Sequence, residues 1–188
     1  MAKIFYFDLE TTGLLFWKNG IHQISGAIEI DGEIKEHFNF NVKPFKDAKI
    51  ELEALAISGI DASILNNYMD FNQCYTELIS LLDKYVSKFD KKDKFFLCGY
   101  NNASFDNQFF RAFFIQNGDK YFGSFFWSSS IDIMVLASQF LMDKRQLMID
   151  FKQSTVAKTL GIEVDETRLH EAQYDVEIMI NIYKIITR

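Results

Sequence analysis

Acidic side chains stand at the end of the first apolar run, close enough in sequence to act together. Residues 3–8 read KIFYFD, a nearly continuous apolar stretch that predicts a strand buried on both faces. Asp8 and Glu10 are two residues apart, so in a strand they point to the same side. Adjacent buried carboxylates repel each other, and a divalent cation is the simplest way to neutralise them. A loop that begins at Asp8, with a solvated Glu10, explains a bare D-x-E pair as well, so the pair needs support from elsewhere in the chain.

Two further carboxylates fall beside the apolar stripes of predicted helices. Asp106 stands in the first turn of a helix predicted over 104–116, where an acid also serves simply as a partner of the helix dipole. Asp175 shares one face of a helix over 171–187 with isoleucines at spacings of three and four, so it faces the sheet and needs a partner. His170 precedes Asp175 by more than one turn and could overhang the same site, although a capping or core role accounts for that pair at least as well.

A sheet with helices around it is needed to bring these side chains together. Two alternating runs follow the first strand, and Asp31-Gly32 between them is a strong signal for a two-residue hairpin. The run KFFLCGY predicts a further buried strand, whereas residues 120–130 fit no element. Helices are predicted over residues 51–57, about 70–88, 104–116, near 132–142, 153–160 and 171–187. This order of elements indicates an α/β layered domain with a mixed sheet.

Composition restricts the class of protein. The 188 residues suit one domain, and 48% hydrophobic residues are enough to form a core. With 26 acidic against 20 basic residues, the formal net charge of −6 excludes a broadly basic nucleic-acid binder, though not a local basic strip. No apolar run is long enough for a membrane span, and the N-terminus lacks the apolar centre of a signal peptide, so we expect a cytoplasmic protein that contacts no membrane. Cys74 and Cys98 are expected to be free thiols.

The three acidic motifs are far more specific together than apart. FDLETTGL after the first strand, N-x-x-F-D at 102–106 and H-x-x-x-x-D at 170–175 resemble the exonuclease motifs of the DEDDh subgroup of the DnaQ-like 3′-to-5′ exonucleases. The resemblance spans almost the whole chain and implies a single exonuclease domain over 1–188. It also implies a ribonuclease H-like fold, in which a five-stranded mixed sheet is flanked by helices on both faces.

The resemblance implies a role for each acidic side chain. It implies two divalent cations, with Mg²⁺ or Mn²⁺ favoured because every ligand is a hard oxygen. The implied ligands are Asp8, Glu10, Asp106 and Asp175. His170 would take a proton from the attacking water, and the product would be a nucleoside 5′-monophosphate released from a 3′ end. Asp132 resembles a recurring aspartate of the family, but a helix N-cap explains it without a metal.

Substrate contacts are expected around the first and second motifs. The candidates are Thr11, Gly13, Leu14, Trp17 and Asn102. By resemblance, Leu14 is an apolar wedge against the terminal base, and Phe16 and Trp17 could extend that platform by stacking. Packing of Trp17 under a surface loop is an equally good explanation. Asn101 stands where the family commonly has histidine, which puts a substrate contact at that position in doubt.

The expected substrate form follows from charge and aromatic residues together. A net charge of −6 disfavours a long phosphate track, so we expect binding through a few nucleotides at the 3′ end. Stacking of terminal bases favours single-stranded or frayed ends, and DNA is favoured over RNA, although the sequence hardly separates the two. An RNA-processing exoribonuclease and a proofreading module that acts mainly as a polymerase-associated subunit are the alternatives, and a homodimer also stays open. Elsewhere, His22 and His37 are expected to point into solvent, and Lys91, Lys92 and Lys94 to form a solvated turn.

Overall fold

Five strands form one mixed sheet in the computed structural model, which describes residues 2–169 and 171–187. The strands are β1 (Lys3–Thr11), β2 (Ile21–Ile30), β3 (Glu33–Asn41), β4 (Phe96–Gly99) and β5 (Ile131–Asp132). Their order across the sheet is β3-β2-β1-β4-β5. β2 is antiparallel to both β1 and β3, whereas β4 is parallel to β1 and β5 is parallel to β4. The prediction of a five-stranded mixed sheet is confirmed.

The first three strands follow the predicted pattern and extend it. Asp31 and Gly32 have φ of +50° and +85°, the left-handed backbone that a type I′ hairpin turn requires. β1 continues past its predicted end to Thr11, because its pairing with β2 extends to Glu10 before a bulge. Asp8 and Glu10 therefore belong to the sheet and not to a loop.

Six α-helices surround the sheet in the described part of the chain. They are α1 (Leu52–Ile57), α2 (Phe71–Asp83), α3 (Asp106–Gln116), α4 (Ile133–Phe140), α5 (Gln153–Thr159) and α6 (Ala172–Ile186). Short 3₁₀ helices cover Ala62–Asn67, Phe122–Ser124, Met142–Leu147 and Glu166–Arg168. α2 ends at Asp83, before its predicted limit of residue 88, because the chain tightens into a turn in which the amides of Lys84 and Tyr85 bond carbonyls three residues back. The longest helix, α6, has 15 residues, and none within the described ranges has the length and apolarity of a membrane span.

Two different apolar layers cover the faces of the sheet. The first, here called the aromatic layer, is rich in buried phenylalanines and includes α2 and α3: Phe5, Phe7, Phe95, Phe109, Phe110, Phe113, Phe114, Phe122, Phe125 and Phe126. The second, here called the aliphatic layer, joins the sheet to α4, α5 and α6: Ile4, Tyr6, Ala27, Ile133, Ala137, Val156, Val176, Ile178, Met179 and Ile182. Helices therefore flank both faces, as predicted. Cys74 and Cys98 are buried free thiols, also as predicted.

His22 is buried, so the prediction that it points into solvent is wrong. Only 1% of this residue is exposed, and burial lowers its pKa to about 4. Neither ring nitrogen has a hydrogen-bond partner among the described residues. His22 lies two residues before Ile24, so the alternation of β2 places it on the face that the aromatic layer covers, and the prediction assigned it to the wrong face. His37, on the edge strand β3, is exposed as predicted.

Candidate active site

The end of β1 carries two acidic side chains at the edge of the sheet. Asp8 pairs with Ser25 of β2 and Glu10 pairs with Gln23, and both acids are half-buried. Because Tyr6 belongs to the aliphatic layer, Asp8 continues the same face of β1 toward α6. The strand thus directs this carboxylate to the helix that carries the third motif.

Asp106 reaches the same edge from β4. It is the first residue of α3 and is only 6% exposed. β4 is parallel to β1, so the residues that follow their carboxyl ends meet at one edge of the sheet. Burial raises the pKa of Asp106 to about 7, and the charges of Glu10 and Asp132 add to the rise. Hydrogen bonds from backbone amides, including that of Leu9, oppose it.

α6 brings the fourth carboxylate over the sheet. Asp175 is half-buried in its first turn, and its backbone amide donates to the carbonyl of Glu171. The aliphatic layer packs α6 on β1 and β2, which fixes the start of the helix relative to the end of β1. Asp175 and Asp8 consequently line the same cavity.

The four carboxylates act on one another electrostatically. Burial raises the pKa of Asp8 well above its ordinary value. The negative charges that raise it further belong to Asp106, Glu10 and Asp175. Within residues 2–169 and 171–187, no three acidic, histidine or cysteine side chains already stand together as a coordination shell, so carboxylates would have to rotate inward to share an ion. The four predicted acids nevertheless fall in one electrostatic environment.

A hard divalent cation fits this group of side chains. All four donors are carboxylates, and Mg²⁺ and Mn²⁺ prefer oxygen to nitrogen or sulfur ligands. The raised pKa values of Asp8 and Asp106 reflect concentrated negative charge in a buried place, which a cation would relieve. His170, predicted as the general base, lies outside the described residues.

A cavity of about 600 Å³ opens in front of Asp8 and Asp175. The rest of its lining comes from loops and from α4 and α5: Tyr100, Asn101, Met134, Phe151, Lys152, Gln153, Ser154 and Leu169. The Tyr100 hydroxyl donates to the carbonyl of Phe151 at 2.6 Å, which joins two walls of the cavity. Among the described lining residues, Lys152 is the one basic side chain, and it could meet an anionic ligand there.

The loop of the second motif is fixed by Asp132. This residue caps α4 as predicted, with a 3.0 Å bond from an amide of the first turn, and it also accepts from the amides of Asn101 and Ala103. Asn101 has a φ of +61° and lines the cavity. Asn102, predicted to contact substrate, is instead fully buried against Gly99. The structure therefore presents the neighbouring Asn101 to the cavity, because the turn at 101 points the next side chain inward.

The loop after β1 presents the predicted stacking residues. Leu14 is 75% exposed and Trp17 is 65% exposed. Phe16 packs partly buried against the aromatic layer, and Trp17 meets its ring edge-on at 5.0 Å between centroids. Trp17 thus lies on the surface and does not pack beneath a loop.

Thr11 and Gly13 shape this loop, together with a residue that the sequence analysis missed. The Thr11 hydroxyl donates to the carbonyl of Gly13 at 2.8 Å. A Cβ at Gly13 would come within 2.3 Å of the Asn19 side chain, so only glycine fits. Asn19 is buried and bonds three backbone groups, one of them the carbonyl of Lys49 at 2.9 Å. The dipeptide Asn-Gly within the loop is the signal that could have identified it.

Two further residues hold the acids in place and were not predicted. Ser58, directly after α1, donates from Oγ to Oε2 of Glu10 at 2.5 Å. Gln153 of α5 donates from Nε2 to the backbone carbonyl of Asp175 at 2.7 Å, which ties α5 to the start of α6. The partners are 48 and 22 residues apart in sequence, so no local pattern announces either contact.

The strand order, with acidic side chains gathered at the carboxyl ends of β1 and β4, is that of a ribonuclease H-like fold. The sequence model of the exonuclease family RNase_T matches residues 5–183. The chain belongs to this family, and the resemblance to the DnaQ-like 3′-to-5′ exonucleases is thereby confirmed.

Individual relatives match the chain over very different shares of their own length. The chain is 27% identical over 177 residues to a DNA polymerase III of the PolC type from Mycoplasmopsis pulmonis. The aligned region covers 94% of the chain and 11% of that protein. The chain is 30% identical over 174 residues to ribonuclease T from Hahella chejuensis, covering 89% of the chain and 75% of that protein. The crystal structure of E. coli exonuclease I in complex with a dT13 oligonucleotide matches with a TM-score of 0.78 and 20% identity, covering 99% of this chain and 41% of that one. The shared region is thus about a tenth of the polymerase and about two fifths of exonuclease I.

Proposed function

We propose that this domain removes nucleotides from the 3′ ends of single-stranded or frayed nucleic acid, with DNA favoured over RNA. The observation that carries the proposal is the electrostatic convergence of four carboxylates beside a cavity of about 600 Å³. Carboxylates that repel one another lower the stability of the fold when no cation is bound. Binding of a divalent cation explains why they are gathered at one place. Family membership supports the same reaction.

The chain's own contribution is to orient oxygen ligands. The side chains that would hold two divalent cations, Mg²⁺ or Mn²⁺, are Asp8, Glu10, Asp106 and Asp175. Such ions, when bound, generate a nucleophilic water and neutralise charge that develops on the phosphate. Ser58 fixes one carboxylate oxygen of Glu10, and Gln153 fixes the first turn of α6. The first contact holds a carboxylate and the second holds a backbone, so both keep the acids near one another while the Asp175 carboxylate stays able to rotate toward an ion.

His170 is proposed as the general base. A histidine suits this role because its ordinary pKa lies near neutrality, so it accepts a proton from water at physiological pH. His170→Ala should lower turnover by roughly 10²- to 10⁴-fold. Mn²⁺ affinity, measured by titration calorimetry, should stay nearly unchanged. Loss of Mn²⁺ binding in this variant would make His170 a ligand instead.

The substrate is proposed to be single-stranded because an exposed apolar platform adjoins the acidic edge. Leu14 and Trp17 offer surfaces on which terminal bases can stack, an interaction worth roughly 1 to 3 kcal/mol per base and tolerant of sequence. The exonuclease I complex contains an oligonucleotide of deoxythymidine, which supports DNA. RNA is the second candidate substrate, because one relative is a ribonuclease by name.

Turnover of matched single strands tests this function. Labelled DNA and RNA of one sequence are incubated with Mg²⁺, with Mn²⁺ or with EDTA, and the release of 5′-monophosphates is followed from each end. Faster release from DNA 3′ ends is expected. Faster release from RNA would select the exoribonuclease, and the absence of metal-dependent hydrolysis on both strands would overturn the proposal.

Trp17→Ala tests the stacking platform. We expect KM for the single strand to rise roughly tenfold, the equivalent of about 1.4 kcal/mol. Phe89→Ala is the control, because Phe89 is 89% exposed but follows α2, in the turn region before β4. Equal wild-type rates on single-stranded and blunt duplex DNA, or an unchanged KM in Trp17→Ala, would contradict the platform.

A polymerase-associated role is the other candidate for the whole protein. The PolC relative supports it, since the matching region is a small part of a DNA polymerase. Copurification of a polymerase with the tagged chain, followed by reconstitution from the two purified proteins, is the test. A homodimer, a cytoplasmic location and a single domain over 1–188 stay predictions from the sequence.

A further inference from the structure

The connection between α4 and α5, residues 141–152, continues the surface of the candidate active site. Phe151 and Lys152 at its end line the cavity together with Asp8. A second groove, of about 310 Å³, is lined by Lys144, Leu147, Met148, Ile149, Thr155, Lys158 and Thr159. The two depressions therefore share one segment of the chain and follow each other along it.

This segment carries a small excess of positive charge. Residues 141–152 contain three basic and two acidic side chains, although the whole chain has a formal net charge of −6. Among the described residues, Lys144, Arg145 and Lys152 make no salt bridge. Asp150 lies close enough to Lys152 and Arg145 for their charges to lower its pKa, but it forms no salt bridge with either. All three basic side chains are exposed and can therefore contact an anionic ligand.

The lysines near the other end of β4 provide a contrast. Lys84 pairs with Glu36 at 3.0 Å and Lys88 pairs with Asp83 at 3.6 Å. Lys91, Lys92 and Lys94 of the same region make no salt bridge among the described residues. That region also precedes the amino end of β4, whereas the cavity lies beyond its carboxyl end. Basic side chains without a salt bridge therefore occur in both regions, and position relative to the cavity is what distinguishes them.

Apolar side chains on the connection are left in solvent. Leu147 is 85% exposed and Ile149 is 94% exposed. Arg145 lies over the ring of Phe151 at 5.2 Å, which holds its guanidinium near the rim of the cavity. Basic side chains without a salt bridge can bind phosphates, and the exposed apolar side chains beside them can contact bases. Single-stranded nucleic acid presents both groups in alternation.

We propose that the α4–α5 connection guides the single strand of nucleic acid that lies upstream of the bound 3′ end. This rests on the proposed exonuclease function and adds an extended site to the few terminal nucleotides expected from the sequence. A strand whose 3′ end occupies the cavity has to leave over one of its rims. The rim at Phe151 and Lys152 leads directly to the second groove and carries the unpaired charge. Phosphates contact Lys144, Arg145 and Lys152, and bases lie against Leu147 and Ile149.

The test compares two double variants that remove the same charge. Lys144→Ala with Arg145→Ala changes the connection, and Lys91→Ala with Lys92→Ala changes the exposed turn before β4. Binding of labelled oligothymidylates of about 3 and about 16 nucleotides, chosen to span short and extended sites, is measured in EDTA. The connection variant should bind the longer strand several-fold more weakly, and its salt slope should fall by about 0.7 for each lost phosphate contact. The shorter strand should bind almost as in the wild type, and the control should match the wild type throughout.

Three results would overturn the proposal in distinguishable ways. Unchanged affinity and salt slope for the longer strand would remove the extended site and leave the exonuclease function intact. If the wild type hydrolyses no oligonucleotide with Mg²⁺ or Mn²⁺, the function itself fails. If Leu147→Ser with Ile149→Ser turns a sedimenting dimer into a monomer without affecting strand binding, the surface is an interface between copies of the chain.

Discussion

The acidic edge of the sheet and the aromatic layer share two elements, β1 and α3, yet they have opposite effects on stability. β1 contributes Phe5 and Phe7 to the layer and Asp8 to the edge, and α3 contributes Phe110 and Asp106 in the same way. Buried rings stabilise the fold, whereas concentrated like charges destabilise it. Within a few residues, the alternation of β1 and one turn of α3 direct some side chains into the core and others to the acidic edge.

The energies explain why the fold tolerates this edge. The Phe110 ring lies 5.1 Å from that of Phe7 and 5.9 Å from that of Phe5, and each such pair adds about 0.5 to 1.5 kcal/mol beyond burial. Asp106 behaves oppositely, because its pKa of about 7 in the fold lies above its ordinary value of 3.8. The fold therefore favours the protonated carboxyl of Asp106. In the metal-free protein, its contribution to the free energy of unfolding is complete below pH 3.8 and is lost as the pH rises toward 7.

Breaking the acidic edge should have the largest effect. Asp8→Asn should abolish turnover, because an amide cannot supply the charge that a shared cation needs. In EDTA the variant should melt at a higher temperature than the wild type, since one of the repelling charges is gone. Asp47→Asn, which changes an exposed carboxylate, is the control and should alter neither property. Near-normal turnover by folded Asp8→Asn would rule out its role as a ligand.

Breaking the aromatic layer should affect stability instead. Phe110 is fully buried, so Phe110→Ala should lower the free energy of unfolding by roughly 3 to 5 kcal/mol in urea titrations. Ile115→Ala on the same helix, where the side chain is 65% exposed, should stay within about 0.5 kcal/mol of the wild type. Similar losses in both variants would show that ring packing is not what stabilises α3.

His22 sharpens the comparison because its titration has the opposite sign to that of Asp106. Its pKa of about 4 in the fold lies below the ordinary 6.5, so the fold favours the neutral ring. The contribution of His22 to the free energy of unfolding is complete above pH 6.5 and is lost as the pH falls to about 4. The loss amounts to at most about 3 kcal/mol. The difference in unfolding free energy between wild type and His22→Leu in EDTA isolates this effect. The wild type should lose stability relative to the variant on acidification, and a difference that does not depend on pH would contradict the lowered pKa.

The loop between the two regions should show the smallest effect. Asn19→Ala leaves three backbone groups without their side-chain partner and should cost about 1 to 3 kcal/mol of unfolding free energy. KM for a single strand should also rise, since this loop carries Leu14 and Trp17. Asn66→Ala, at an exposed position, serves as the control. A lower stability with an unchanged KM would restrict Asn19 to a role in folding.

The sequence was sufficient for the features that depend on local spacing. The period of two in β1 placed Asp8 and Glu10 on one face, and Asp31-Gly32 selected the hairpin. The stripe of α6 placed Asp175 toward the sheet. Spacings of two and of three to four residues are set by backbone geometry, so they can be read without knowing what packs against the element.

Only the tertiary structure decided which side chains support these acids and which are hidden. Ser58 and Gln153 reach their partners across 48 and 22 residues, and His22 is buried with no hydrogen-bond partner for its ring nitrogens among the described residues. Asn101 and Asn102 are identical in chemistry, yet the backbone at 101 turns one toward the cavity and buries the other. The raised pKa values of Asp8 and Asp106 likewise arise only when separate elements meet. Burial, long-range hydrogen bonds and electrostatic fields depend on distances in space, which the order of residues along the chain does not specify.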